Sequence, residues 1–217
     1  NWVRGTVAGI TPIGPTTGAG NTNEILRNFT NTTLGVVYQY TLSVNGCNNI
    51  QNVSVNVKPE PVIAAGQTAE VCSRNTLSHH INLVNFTNPA DNVIFTWPAP
   101  VLDPSNPAFT GGTARSSASI DNLSDVFVNR TGATGTATYT VTPFKDGCPG
   151  APQTIVVSVN PEPILDPSLN LSVCSNTITG LLLKVAPGSV GADYYNILSV
   201  TLETGLSADA GNAAINS

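Results

Sequence analysis

Lys58-Pro59-Glu60-Pro61-Val62-Ile63, with Cys72 nine residues further on, returns as Asn160-Pro161-Glu162-Pro163-Ile164-Leu165 with Cys174. The displacement is 102 residues from the Pro-Glu-Pro element to the cysteine, without a gap. A second block agrees within one residue: Asn28, Thr30, Tyr38, Gly46 and Cys47 return as Asn129, Thr131, Tyr139, Gly147 and Cys148, all displaced by 101. A period near 100 residues belongs to tandem globular modules, each able to bury one core, and not to a solenoid of short units. Trp2 stands where Trp97 stands in the next repeat, well inside a module. The expected organisation is therefore one complete module, residues 61–163, flanked by the C-terminal part of one repeat (1–60) and the N-terminal part of another (164–217). The flanking pieces would each present an open half-core.

Within each repeat the clearest local signal is a hairpin. Val36, Tyr38, Tyr40 and Leu42 alternate toward Asn45-Gly46, and Val53, Val55 and Val57 alternate back. Asn-Gly suits the positive φ angles of a type I′ turn, whose twist matches the flanking strands. Ala137, Tyr139 and Val141, then Asp146-Gly147, then Ile155, Val157 and Val159 repeat the pattern with the apolar set on the same face. Further strands are expected at Glu70–Ser73, Ile81–Phe86, Val93–Trp97 and Ser119–Val128, and in the last part at 173–175, 181–185 and 194–200. Pro98 to Gly112 reads as a long irregular stretch at a sheet edge, where proline blocks further pairing. Helical periodicity is absent. Six or seven short strands with a Trp on an early central one predict an all-β protein of tandem Ig-like sandwiches.

Composition narrows the function. Charged residues are 10% of the chain, against about 25% in ordinary globular domains. A net charge of −5 and a pI near 4.7 leave no basic face for a phosphate backbone, so nucleic acid is not an expected partner. No apolar run approaches the ~18 residues of a membrane helix, so insertion of this segment into a bilayer is not expected.

The four cysteines permit three pairings. In an Ig-like sandwich the first strand begins at the pole where the last hairpin turns. Reading Cys72 as opening that first strand, and Cys148 as lying just past the Asp-Gly turn, pairs Cys72 with Cys148, and leaves Cys47 and Cys174 to partners elsewhere. The rival, Cys47 with Cys72, must span a final strand of about seven residues, roughly 23 Å. Four buried thiols in a reducing compartment are the third reading. A disulfide would place the chain in an oxidising, extracellular setting.

Chemistry is sparse. His79-His80 has no carboxylate or third ligand placed beside it and reads as a solvated turn before a strand. Asp91, Asp103, Asp121, Asp125, Glu60 and Glu162 offer oxygens for calcium, but singly and without a dense Asp-x-Asp pattern. Trp97 and Tyr139, on alternating strands, read as core and not as a sugar-stacking platform. No nucleophile elbow, zincin helix or phosphate loop occurs, so neither an enzyme nor a cofactor or metal is expected. Seven Asn-x-Ser/Thr sequons begin at Asn28, Asn31, Asn52, Asn85, Asn122, Asn129 and Asn170, a number that an Asn- and Thr-rich chain reaches by chance. Pro59-Glu60-Pro61 and Pro161-Glu162-Pro163 form short linkers, each proline fixing its own φ and biasing the Glu before it toward extended backbone.

The order Pro-Glu-Pro, Val-Cys-Ser, Phe-x-Trp, Asn-x-Thr, Tyr-Thr-Val-Thr-Pro, Asp-Gly-Cys-Pro-Gly, Val-x-Val-x-Pro across positions 59–161 resembles the PKD-like and Ig-like repeats of giant Bacteroidota surface proteins, in kind the SprB-type gliding-motility adhesins. The text from Tyr195-Asn196-Ile197 to Gly205-Leu206 is similar to the next repeat of that family. The resemblance implies export by type IX secretion and a place on the outer cell surface. It also implies neighbouring repeats as partners, and surface polysaccharide or substratum as a ligand of another region. The leading expectation is a stiff, non-enzymatic stalk. The alternatives are a spacer or carbohydrate-binding appendage of a secreted polysaccharide hydrolase, and a filament whose half-modules complement one another between chains.

Overall fold

The computed structural model describes residues 1–87, 90–118 and 122–207, with backbone alone at 117 and 118. Residues 1–57 carry β1 (Trp2–Arg4), β2 (Ile10–Thr11), β3 (Thr16–Gly18), β4 (Arg27–Asn28), β5 (Leu34–Val44) and β6 (Cys47–Val57). The middle module carries β7 (Thr68–Cys72), β8 (His79–His80), β9 (Ile94–Trp97), β10 (Val101–Asp103), β11 (Phe109–Gly111) and β12 (Arg115–Ala118). It continues with β13 (Asn122–Leu123), β14 (Phe127–Asn129), β15 (Gly135–Lys145), β16 (Cys148–Pro149) and β17 (Gln153–Asn160), before a 3₁₀ turn at Pro167–Leu169. Among the described residues no helix is long and apolar enough to cross a membrane.

The spine of the middle module is β15, whose Thr, Tyr and Val residues suit a pleated, half-buried surface. On one edge β17 runs antiparallel, from Gly135↔Val159 to Val141↔Gln153, and β7 then adds in parallel, from Val156↔Thr68 to Asn160↔Cys72. On the other edge β9 pairs with Thr142–Phe144 and β10 with Thr136–Thr138. β9 and β10 are thus one strand path broken at Pro98-Ala99-Pro100, where the proline side holds one residue more than β15 does. Proline cannot donate to the ladder, and the surplus residue is expelled as a bulge. The stretch 98–112, expected to be irregular, therefore contains β10 and also β11, which pairs with β14.

The opposing layer is assembled from fragments. β8 pairs with β13, β11 with β14, and single bridges join Thr76 to Val126 and Ile63 to Leu83. Two expectations change here. Ile81–Phe86 is not a strand: Ile81 and Phe86 are buried, but the backbone bends and only Leu83 makes a bridge. His79-His80, read as a solvated turn, forms β8 instead. Of the strand expected at 119–128, residues 119–121 lie outside the described residues, and the rest divides into β13 and β14 around Asp125.

Between the layers Phe95, Trp97, Tyr139, Ile155, Val157 and Val159 meet Leu77, Ile81, Phe109, Leu123 and Phe127 in one core. Each such side chain removed from water is worth ~1.5–3 kcal/mol, so this cluster carries the module. The middle of the chain is an Ig-like β-sandwich, and Trp97 and Tyr139 cross edge to face within it at 6.4 Å.

The first sheet, in the order β3-β1-β5-β6, reproduces β12-β9-β15-β17 strand for strand. What differs is the far edge. β17 is covered by β7, and Ile155 and Val157 are 0% exposed, while β6 ends its sheet and the matching Val53 and Val55 are 48% and 41% exposed. Within residues 164–207, Ala186 N donates to Ile164 O and Asp166 N to Lys184 O. Of the strands expected at 173–175, 181–185 and 194–200, none forms among the described residues; Val185 makes a single bridge to Leu165, and Asn196 stands at a bridge position. In the middle module the equivalent first strand is held by the last hairpin, whereas among the described residues Val173-Cys174-Ser175 joins no such ladder.

Candidate functional site: the module junctions

The repeated Asn-x-Thr supplies the anchor at each junction. Asn129 is fully buried, and its amide donates to Ala133 O at 2.9 Å and Val159 O at 2.7 Å. Its side-chain oxygen accepts from Thr131 N and Thr131 Oγ1 at 3.1 and 2.8 Å. Asn28 makes the same set with Thr32 O, Val57 O and Thr30. This is an Asx turn pinned beneath the end of the final strand. The amides at Asn28 and Asn129 are committed to backbone carbonyls, which gives these two sequons a structural reason.

Each anchor then takes hold of the linker. Glu60 N donates to Asn28 O at 2.7 Å and Glu162 N to Asn129 O at 2.9 Å, so the Pro-Glu-Pro backbone is stitched to the module it leaves. The Glu side chains are also engaged: Arg27 Nε donates to Glu60 at 2.8 Å, while Glu162 receives Arg74, Arg130 and Ser73 Oγ. Burial pulls the Glu162 carboxyl upward, but the hydrogen bonds from Arg130, Arg74 and Ser73 outweigh it and hold it below the usual range.

The first junction is closed further from the far side. Asn85 Nδ2 lies within hydrogen-bond distance of Phe29 O, Thr30 O and Glu60 O, at 3.1, 3.2 and 2.8 Å, while its oxygen accepts from Val62 N at 3.0 Å. One side chain of the middle module thus bridges the preceding one and the linker. Lys58 Nζ donates to Asp146 O at 3.2 Å, bringing the tip of the last hairpin against the linker. A Cβ on Gly150 would lie 1.9 Å from Pro61 O, so only glycine lets that hairpin approach. At the second junction Ser189 Oγ accepts from Ile164 N at 2.8 Å, in the role of the Asn85 oxygen. A Cβ on Gly132 would meet Gly188 O at 2.1 Å.

A second repeated device lies inside each module. Tyr139 OH donates to Asp125 at 2.6 Å and Tyr38 OH to Glu24 at 2.7 Å. Glu24 also receives the buried Arg4 at 3.0 Å and Thr16 at 2.5 Å. Burial raises the Glu24 carboxyl, yet these hydrogen bonds and the Arg4 charge bring it down to about 2. Burial, then the Glu24 hydrogen bond and charge, push Tyr38 up to about 12. The repeat does not reveal this pairing in the sequence because Glu24 and Asp125 differ in type.

The cysteines require a correction. Cys72 does not open the first strand but closes it, opposite Asn160 at the end of β17. Cys148 pairs with Lys145 at the hairpin tip. The length of β15, 11 residues, lies between them, roughly 36 Å at ~3.3 Å per residue, and a disulfide needs Cα atoms within about 7 Å. All four cysteines are free thiols, with Cys47, Cys72 and Cys174 exposed.

The oxygens considered for calcium are dispersed. Asp91 accepts from Thr87 N, Asp125 from Thr113 and Tyr139, Glu60 from Arg27, and Asp121 lies outside the described residues. Among the described residues no group of three His, Cys, Asp or Glu is arranged to hold a metal. His79 Nε2 meets Gln67 Oε1 at 3.3 Å.

A groove of about 850 Å³ lies over the inward face of β5 and β6, lined by Tyr38, Tyr40, Val53, Val55, Lys58 and Cys148 among others. Residues 69–163 match the family described as "PKD-like domain", which covers most of the middle module and somewhat less than half of the chain. A search of curated proteins finds no match.

Proposed function

We propose that the chain is a non-enzymatic structural segment of a large bacterial cell-surface adhesin, a stiff stalk of tandem PKD-like modules that holds an adhesive tip away from the cell. The observation that carries this reading is the first junction. Pro-Glu-Pro is tied to the module before it by Glu60 N and Arg27, and to the module after it by Asn85 and Lys58. A linker hydrogen-bonded on both sides transmits orientation, whereas a free one of the same length does not. The match to a PKD-like domain supports a structural or adhesion-type module. In this reading the partners are the neighbouring repeats, the setting is extracellular, and contact with polysaccharide or substratum belongs to another region.

Small-angle scattering of the whole chain tests the proposal. The expected profile is that of one elongated body with a sharply bounded maximum dimension, and Asn85→Ala combined with Glu60→Gly should broaden it. A wild-type profile already as broad as the variant's would refute the stalk. Tight binding of surface glycans by the chain would make the module an adhesive domain instead.

A further inference from the structure

We propose that the open edge of β6 receives the first strand of the repeat to which β6 itself belongs, and that this strand's cysteine forms a disulfide with Cys148 of the next module, stapling each module to the next across their junction. The inference deepens the stalk reading and rests on it for the tandem arrangement.

The middle module shows what belongs on that edge. There β7 lies parallel to β17, ending with Cys72 opposite Asn160 and with Ser73 N donating to Asn160 O at 2.9 Å. By the repeat Asn160 corresponds to Lys58, and Val157 and Val159 correspond to Val55 and Val57. Val53 and Val55, half-exposed on β6, line the groove described above. A strand pairing with the edge of β6, beside that groove, in the register of β7 would set its cysteine beside Lys58, about 4.8 Å away across the ladder. Lys58 Nζ itself reaches Asp146 O, two residues before Cys148, and Lys58 and Cys148 line the same groove. The incoming cysteine and Cys148 thus arrive at one place from two modules, whereas within one module the length of β15, roughly 36 Å, keeps them apart. The reciprocal half of the device is visible too. Cys72 is exposed beside Asn160, at the pole facing the next repeat, where the hairpin cysteine of a following module would stand. The occupant is a repeat strand and not an unrelated peptide because the edge and the groove beside it have the register, the alternating valines and the thiol that the β7 sequence answers.

Bond formation is ordinary thiol–disulfide exchange. The two thiols give up two protons and two electrons to a disulfide oxidant such as oxidised glutathione, which leaves as two thiols.

The test extends the chain at its start with a second copy of residues 61–96 joined directly to Trp2, folded in a glutathione redox buffer and mapped without reduction. The expected result is one crosslink, from the grafted copy of Cys72 to Cys148, with Cys47 and the original Cys72 remaining thiols. Amide exchange along β6 should slow by at least ~tenfold as its edge pairs. The grafted chain carrying Cys72→Ser in the added copy should keep that protection and lose the crosslink. Protection without any crosslink would overturn the staple while leaving the stalk standing, and a crosslink to Cys47 would overturn the register. A parallel experiment does not depend on the graft folding. A synthetic peptide of residues 67–74 added to the unextended chain in the same glutathione redox buffer should form its mixed disulfide at Cys148 at least ~tenfold faster than at Cys47, because docking raises the local thiol concentration. Equal rates would refute the proposal. So would a Cys174–Cys148 crosslink between two unextended chains in preference to the graft, which would make the occupant a second copy. A broad scattering profile with the Cys148 crosslink intact would refute the rigid stalk but not the staple.

Discussion

The two junctions share the Pro-Glu-Pro text but are secured differently. At the first, Pro59 and Pro61 are buried, and the grip comes from the following module through Asn85 and the hairpin tip at Asp146 and Gly150. At the second, Pro163 is exposed, and the grip comes from the preceding module, where Arg74, Arg130 and Ser73 converge on Glu162. The difference follows from which strands stand beside each linker. Ser73 and Arg74 follow β7, so a Glu flanked by a complete sandwich gains two partners that Glu60 lacks. Asn85 precedes the last hairpin, and both are present on the far side of the first linker. A junction between two complete modules would hold both sets, and each junction here displays one half of the mechanism.

The largest expected effect lies in the shared anchor. Asn129→Ala would strip the buried Val159 O, and the exposed Ala133 O, of their donor and release the turn that presents Asn129 O to Glu162. Leaving the buried Val159 carbonyl unpaired and losing the turn should cost about 3 kcal/mol in urea unfolding of the middle module. Asn28→Ala removes the same bonds beside an open edge, where water can replace some of them, and should cost about half as much. Equal losses would mean that the open edge of β6 does not matter to the anchor. Next in size is Asn85→Ala, expected to weaken coupling across the first junction by about 1–2 kcal/mol with no change at the second. Ser189→Ala should do the converse by ~1 kcal/mol, since one bond to Ile164 N is at stake. Double-mutant cycles with the linker Glu residues would separate the junctions, and cross-talk between them would erase the distinction.

The parts legible in the sequence were those encoded by repetition and alternation. The β5–β6 and β15–β17 hairpins, β7 and β9 stand where their patterns place them, to within a residue or two at the ends, because each pairs along several residues of alternating type. The opposing layer was not legible, since β8, β11 and β13 are two or three residues long and exist only by virtue of a partner distant in the chain. Prolines misled in the stretch 98–112 because they flank β10 and sit at its bulge and do not interrupt it. The Pro-Glu-Pro linker was visible as a stiff element, but its ties were not. Asn85 reaches carbonyls 55 and 56 residues away, a reach that its Asn-Phe-Thr sequon does not signal. The cysteine pairing failed on one point of geometry, the end of β7 at which Cys72 stands.

Acid should separate the junctions once more, by a smaller amount. The Glu162 carboxyl titrates below its ordinary value of 4.5 in the folded chain, so its contribution to stability is fully present above about that pH. It is lost as the pH falls through the depressed folded value, because the unfolded state then binds the proton more readily. Thermal melts from pH 7 downward should therefore show a decline beginning near pH 4.5 that Glu162→Gln reduces. Glu24, held down to about 2 by the Arg4, Thr16 and Tyr38 hydrogen bonds and the Arg4 charge against its burial, adds a second decline between 4.5 and about 2 in the first part of the chain. The two are distinguished by variant, since Glu24→Gln should remove only the second. The least effect is expected from Arg27→Ala. Its guanidinium is about half exposed where it meets Glu60, solvent screens the pair, and surface ion pairs contribute ~0–1 kcal/mol. If Arg27→Ala loosened the first junction as much as Asn85→Ala, the grip there would be electrostatic and not the hydrogen-bonded bridge from the following module, and raising the salt concentration would reproduce the loss.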